Sequence, residues 1–227
     1  MRLFLFFLMS VSCFPASAAE KAELTIYISD SRGNQPFVYL SEINVLKDGA
    51  EFKLLKPGYS NKQVLPDLDP GTYAVVYNSI FGKEVRSEVV ITRPGKYTVS
   101  AYVNYMDYTK EINQSLLDRL KENDSFSIII FSHGCFHYDR DTIVVMRNQS
   151  DYTIHWGKDR KVLTKQDLET IRHFEMELQC ISGWGCTSKD DYTLQYNGIT
   201  ELNVFDGTCR WNGNDYLHEH LFGKEED

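Results

Sequence analysis

From residue 22 to about 104 the chain runs in short segments where apolar and polar positions alternate. Leu24-Thr25-Ile26-Tyr27-Ile28 is the clearest. A period of two places Leu24, Ile26 and Ile28 on one face, the signature of a half-buried strand. Further strands are predicted over Val38–Val45, Thr72–Tyr77, Val85–Ile91 and Tyr97–Val103. Turn chemistry separates them: Asp30-Ser31-Arg32-Gly33-Asn34, Asp48-Gly49, Pro94-Gly95, and a dense breaker over Leu65-Pro66-Asp67-Leu68-Asp69-Pro70-Gly71. Turn signals every ~8–12 residues predict a β-sandwich.

The pattern changes near residue 105. Over Thr109–Asn123, Ile112, Leu116, Leu117 and Leu120 recur at helical spacing among Lys and Glu, which predicts an amphipathic helix. An Ile-rich run, Phe126–Phe131, reads as a buried strand, followed by strands at Thr142–Met146 and Tyr152–Trp156 around the turn Asn148-Gln149-Ser150. Thr164 begins a second helix, with Asp167 completing a capping box, Leu163 stapling to Leu168, and Leu168, Ile171, Phe174 and Leu178 forming the buried stripe. Tyr192–Tyr196, Asn197-Gly198 and Ile199–Phe205 form a hairpin signal. Asn214–Phe222 closes as a short helix capped by Gly223. The order α-β-β-β-α-β-β-α predicts an antiparallel sheet with helices, and the whole chain is therefore α+β with an all-β first half.

The first half also resembles the prealbumin-like, carboxypeptidase-regulatory type of β-sandwich. The residues that carry the likeness are Asp30-x-x-Gly33-Asn34-x-Pro36, Leu68-x-Pro70-Gly71-x-Tyr73-x-Val75 and Gly95-Lys96-Tyr97-x-Val99. The resemblance implies a non-catalytic spacer, adhesion or binding module. The second half taken as a whole resembles no known family.

The first eighteen residues are an address. Met1-Arg2 is followed by the apolar run Leu3–Met9, then Pro15 and the small-x-small Ala16-Ser17-Ala18, which predicts a secretory signal peptide over residues 1–18. The sequence then predicts a sandwich domain over 19–105 and an α+β domain over 106–227. No later stretch reaches the roughly 18 apolar residues of a membrane span. An alternative is that Ser10-Val11-Ser12-Cys13 resembles a lipoprotein signal, which would anchor the chain through a lipid on Cys13. The chain carries a net charge of −8, and loss of Arg2 with the signal makes it −9. That acidity disfavours nucleic-acid binding and docking onto anionic lipid. Export into an oxidising compartment leaves Cys135, Cys180, Cys186 and Cys209, an even number that predicts two disulfides.

The hairpin selects their pairing. With Asn197-Gly198 at the turn, opposed residues have numbers summing to 395, as Cys186 and Cys209 do. Cys135 and Cys180 then pair by subtraction.

Two chemical alternatives compete with a binding role. Phe131-Ser132-His133-Gly134-Cys135 resembles the His segment of caspase-like cysteine peptidases, with His133 as base and Cys180 or Cys186, 47 and 53 residues on, as nucleophile. Against it, Cys180 follows Glu177-Leu178-Gln179, and the following strand reads as antiparallel. His133, Cys135 and His137 alternate along an extended strand, so they form a three-ligand metal candidate. His218 and His220 do not share a helix face. Trp156, Trp184 and Trp211 are either a stacking surface or core. No phosphate-binding loop, nucleophile elbow or cofactor motif is present in the sequence. The expectation is an exported, periplasmic or secreted protein that binds a protein or cell-envelope component, uses no cofactor and performs no catalysis.

Overall fold

The computed structural model describes residues 21–32, 38–110 and 115–223. The signal-peptide and Cys13 assignments lie outside the described residues, as do Gly33, Asn34, Pro36 and Ile112.

Seven strands build the first half: β1 (Ala22–Ser29), β2 (Ile43–Lys47), β3 (Ala50–Leu55), β4 (Lys62–Leu68), β5 (Gly71–Asn78), β6 (Glu84–Ile91) and β7 (Gly95–Tyr102). They form two sheets, ordered β4-β1-β7 and β3-β2-β5-β6, antiparallel except for the parallel β1–β7 pair. This is the β-sandwich expected from the alternation. Leu24, Ile26 and Ile28 of β1 are fully buried in one core with Val45, Tyr73 and Val75 of the facing sheet.

Two boundaries differ from the sequence reading. The Val38–Val45 run is not one strand, since Leu40 makes only an isolated bridge to Gly58 and regular pairing starts at Ile43. Nor does the Pro-rich stretch break the sheet, because β4 continues through Pro66 to Leu68. Pro66 fits because β4 is an edge strand, where a missing ladder donor is tolerated. Asp67, with φ 59°, absorbs the register shift between Ala22 and Leu24 of β1.

The second half holds β8 (Ser125–His133), β9 (Tyr138–Asn148), β10 (Asp151–Trp156), β11 (Asp159–Val162), α1 (Lys165–Cys180), β12 (Lys189–Tyr196), β13 (Ile199–Asp206) and α2 (Gly213–Phe222). Its single antiparallel sheet is ordered β11-β10-β9-β8-β12-β13. Phe126, Ile128 and Ile130 of β8 pack with Phe174 and Leu178 of α1 and Leu217 and Leu221 of α2. The α+β class is as expected, with the short β11 added. Thr164 accepts from the Asp167 N–H at 3.2 Å, and Asp167 accepts from the Thr164 N–H at 2.8 Å. The β12–β13 turn has positive φ at both Asn197 and Gly198, the backbone that Asn-Gly accommodates.

The first expected helix is not α-helical among the described residues. Tyr108–Lys110 and Leu117–Arg119 are 3₁₀ turns. The reason lies in α1. The buried Glu175 carboxylate accepts from the Ser115 hydroxyl at 2.6 Å and from the backbone N–H groups of Leu116 and Leu117. Those donors are drawn sideways to Glu175, and Leu116, Leu117 and Leu120 still reach the core.

The halves meet at a second buried carboxylate. Glu177, wholly buried on α1, accepts from Arg32 of the sandwich, from the Tyr108 hydroxyl and from Trp211 Nε1 at 2.8 Å. The Arg32 guanidinium lies 4.1 Å from the Tyr216 ring centre. Tyr108 stacks on His173 with centroids 3.7 Å apart.

Candidate functional site

The end of the large sheet where β8, β12 and β13 meet carries the sequence-predicted chemistry. Cys186 is bonded to Cys209, with Cα atoms 5.7 Å apart. An unbroken hairpin ladder is not what joins them. A bulge at Leu194/Gln195 shifts the register, and the ladder ends at Asp190–Asp206. Beyond it the chain closes a second time: Gly183 bridges Asp206 in parallel, the Gly207 N–H reaches Gly183 O at 2.9 Å, and the Cys186 N–H reaches Gly207 O at 2.8 Å. A side chain at Gly183 would meet Thr208 Cγ2 at 2.9 Å, so only glycine allows this crossing.

Cys135 and Cys180 are not bonded to each other. Cys135 is exposed on the β8–β9 turn, whereas Cys180 ends α1 and packs against the core on the helical side of the sheet. Subtraction failed because nothing in the sequence showed which face of β8 its end would serve.

The peptidase residues are likewise not assembled. In β8 the buried set is Phe126, Ile128 and Ile130, so His133 belongs with Ile129 and Phe131 on the face away from α1. Its Nε2 lies 2.9 Å from Asp191 Oδ2. The sheet thus separates His133 from Cys180, and Cys186 is consumed in the disulfide. The metal alternative is also not brought together. His133 turns to Asp191, His137 Nε2 lies 3.2 Å from Ser132 Oγ, and the hairpin turns at Gly134, whose N–H reaches His137 O at 3.0 Å. Among the described residues no three His, Cys, Asp or Glu side chains form a group able to hold a metal ion.

The tryptophans divide. Trp156 bonds Asp141, Trp211 stacks on Phe174, and both are core. Trp184 is 78% exposed beside the disulfide, buttressed by Phe205 at 4.2 Å, with Lys189 5.9 Å from its ring centre. On the neighbouring hairpin Phe136 is fully exposed. Across a groove of about 240 Å³ the sandwich contributes Tyr39 and Tyr59, 5.0 Å apart, with Tyr59 77% exposed. Arg210, next to Cys209, lies 4.7 Å from the Tyr39 ring centre. Tyr39, Tyr59 and Arg210 were missed by the sequence reading. They sit far apart along the chain, in loops that no periodicity marks. The disulfide spacing was the one available signal, and it pointed to this end.

A larger cavity of about 760 Å³ between β9–β11 and α2 is lined by Asp139, Asp141, Asp159 and Asp215, with His218 3.5 Å from Asp159.

No protein-family model matches the chain, and no curated protein matches it. Among solved structures it is similar to a streptococcal ancillary pilin, at 7% identity over 66% of this chain and 60% of the pilin, with a TM-score of 0.27. It is also similar to a DUF3823 family protein from Bacteroides uniformis, at 7% identity over 82% of this chain and 96% of that one, with a TM-score of 0.24. The chain thus spans about 60% of the pilin's length.

Among the described residues no helix is long and apolar enough to cross a membrane.

Proposed function

We propose that the protein is exported and works without catalysis, binding a macromolecular component of the cell envelope or extracellular space through its disulfide end. The observation that carries this reading is the set of exposed aromatic rings held on fixed supports there. Trp184 is 78% and Tyr59 77% exposed, with Arg210 lining the same groove. Clustered Trp, Tyr and Arg are the residues that dominate binding energy at interfaces. Isolated exposed apolar residues need no explanation, but a group braced by a disulfide and ring contacts does. The Cys186–Cys209 bond suits an oxidising compartment, and the signal-like residues 1–18 suit export. In the same reading, residues 19–105 are a prealbumin-like module and residues 106–227 a second domain that carries most of the site.

A photo-activatable residue placed at position 184 or 136 in the native host should crosslink to one defined partner. The same residue at Val90, 59% exposed on β6, should not. Equal labelling at all three positions would defeat the binding surface. An intact Met1 on the native protein would defeat export, and a lipidated Cys13 would replace a free protein by an anchored one.

A further inference from the structure

We infer that β7 is a docking edge for a second copy of this chain, pairing antiparallel with its own counterpart about a twofold axis. Among the described residues the three sheets end in six edge strands: β4 and β7, β3 and β6, β11 and β13. An edge presents a row of unpaired backbone N–H and C=O groups, and charge, proline, bulges or shortness keep other strands away from it. Five of the six edges carry such devices. β4 holds Pro66 and a register shift against β1. β3 skips Phe52 in its pairing with β2, between the charges of Glu51 and Lys53. β6 sets Glu84, Arg86 and Glu88 at every second position. β11 has four residues, three of them charged. β13 skips Glu201 at its bulge, and Arg119 holds that glutamate at 3.0 Å.

β7 carries none of these. Its eight residues run in unbroken register with β1 from Gly95 to Tyr102, without proline, and Lys96 is the single charge. Lys96, Thr98 and Ser100 are exposed, and Tyr97 and Val99 are half-buried against the sandwich core. A groove of about 520 Å³ lies between residues 84–87 of β6 and the end of β7 at Ser100 and Tyr102. Charge favours a second copy. A twofold through Thr98 sets Lys96 opposite Ser100, and one through Val99 sets it opposite Tyr102, so self-pairing brings no like charges together. β6 paired with itself about Arg86 would instead set Glu84 against Glu88 and Arg86 against its own copy. A foreign peptide is disfavoured, because strand addition draws its specificity from pockets for alternate side chains. The groove reaches β7 only at Ser100 and Tyr102. A second copy also brings an edge already held extended by β1, so pairing has little chain to order. The product is one six-stranded sheet shared by two copies.

The test uses the mature protein carrying Cys135→Ser, which removes the exposed thiol. Sedimentation velocity should show a monomer–dimer equilibrium that shifts with concentration, and amide exchange over residues 96–101 should slow as the dimer fills. Thr98→Lys combined with Ser100→Lys puts like charges opposite each other in either register. It should weaken the dimer about tenfold or more while leaving circular dichroism unchanged. Val162→Lys and Ile199→Lys, at exposed positions of β11 and β13, should leave the dimer intact. Thr98→Cys should oxidise to a linked dimer, alone for a twofold at Thr98 or mixed with Ser100→Cys for one at Val99. Opposed Cα atoms lie ~4.5–5.5 Å apart, within disulfide reach. If the double lysine variant fails to fold, the cysteine arrangements decide. A protein that is monomeric at every concentration overturns the inference, as does a dimer that the paired lysines leave intact or that neither cysteine arrangement captures. A monomer whose residues 96–101 become protected only on addition of envelope extract from the native host gives the edge to a foreign strand, and overturns the second copy equally.

Discussion

The two halves bury their interiors in different ways. The sandwich closes on itself: each sheet covers the other, and its core is a set of aliphatic residues with a few tyrosines. Tyr77 even serves both needs, packing inside while its hydroxyl reaches Tyr102 O at 3.1 Å. The second half has a single sheet and must cover one face with helices. It also borrows Phe81 and Met106 from outside its own elements, and it buries the carboxylates Glu175 and Glu177 among its helices. Both carboxylates are satisfied by donors from segments that are not regular structure. The lesson is one of degree: the open α+β layer buries two wholly covered glutamates to hold irregular chain in place, whereas the sandwich does so with one carboxylate at its end, Asp30, which accepts from the Arg32 N–H and the Asn104 amide.

The largest expected break of that contrast comes from cutting the chain at 104–109. Residues 20–104 alone should keep strand circular dichroism and dispersed NMR signals. Residues 105–227 alone should lose cooperative unfolding, because Arg32 and Phe81 leave with the sandwich. Two equally stable fragments would erase the asymmetry, and an unfolded 20–104 would remove the independent sandwich.

Next, Glu177→Ala strands the donors of Arg32, Tyr108 and Trp211, and should cost about 3–5 kcal/mol by urea denaturation. Its sandwich counterpart, Ile26→Val, should cost only about 0.5–1.5 kcal/mol. Replacing both Cys186 and Cys209 by Ser should lower stability by about 2–4 kcal/mol, for a loop of sequence separation 23. Thr164→Ala, which removes half of the α1 capping box, should cost about 1 kcal/mol.

The smallest effect concerns pH. Burial, aided by the charges of Arg172 and Arg32, holds the His173 imidazole below its usual value. A depressed folded pKa means that the unfolded chain binds the proton first. The stability His173 contributes is therefore present above the unfolded value of ~6.5 and lost as pH falls through the folded one. A His173→Phe variant should show a flatter stability curve over that window in acid titrations at fixed urea. A curve unchanged from the parent would mean that the contact with Tyr108 is not tied to the charge state.

The sequence by itself determined most elements and one bond. Alternation located β1, β5 and β6, because a two-residue period is a local property of the chain. The Thr164 cap, the Asn197-Gly198 turn and the Gly223 stop were legible for the same reason, since each rests on residues within four positions of one another. Spacing also named Cys186 with Cys209, although the ladder it assumed is interrupted by a bulge. What tertiary structure alone decided were matters of distance along the chain. The residues at 115–120 have a helix's apolar spacing, yet Glu175, far downstream, takes their amide donors. Cys135 and Cys180 could be counted but not placed, because which face of a strand meets a helix is set by packing. The aromatic groove needed Tyr39, Tyr59, Trp184 and Arg210 from four loops. Loops carry no periodicity, so only the folded chain brings those rings to one place.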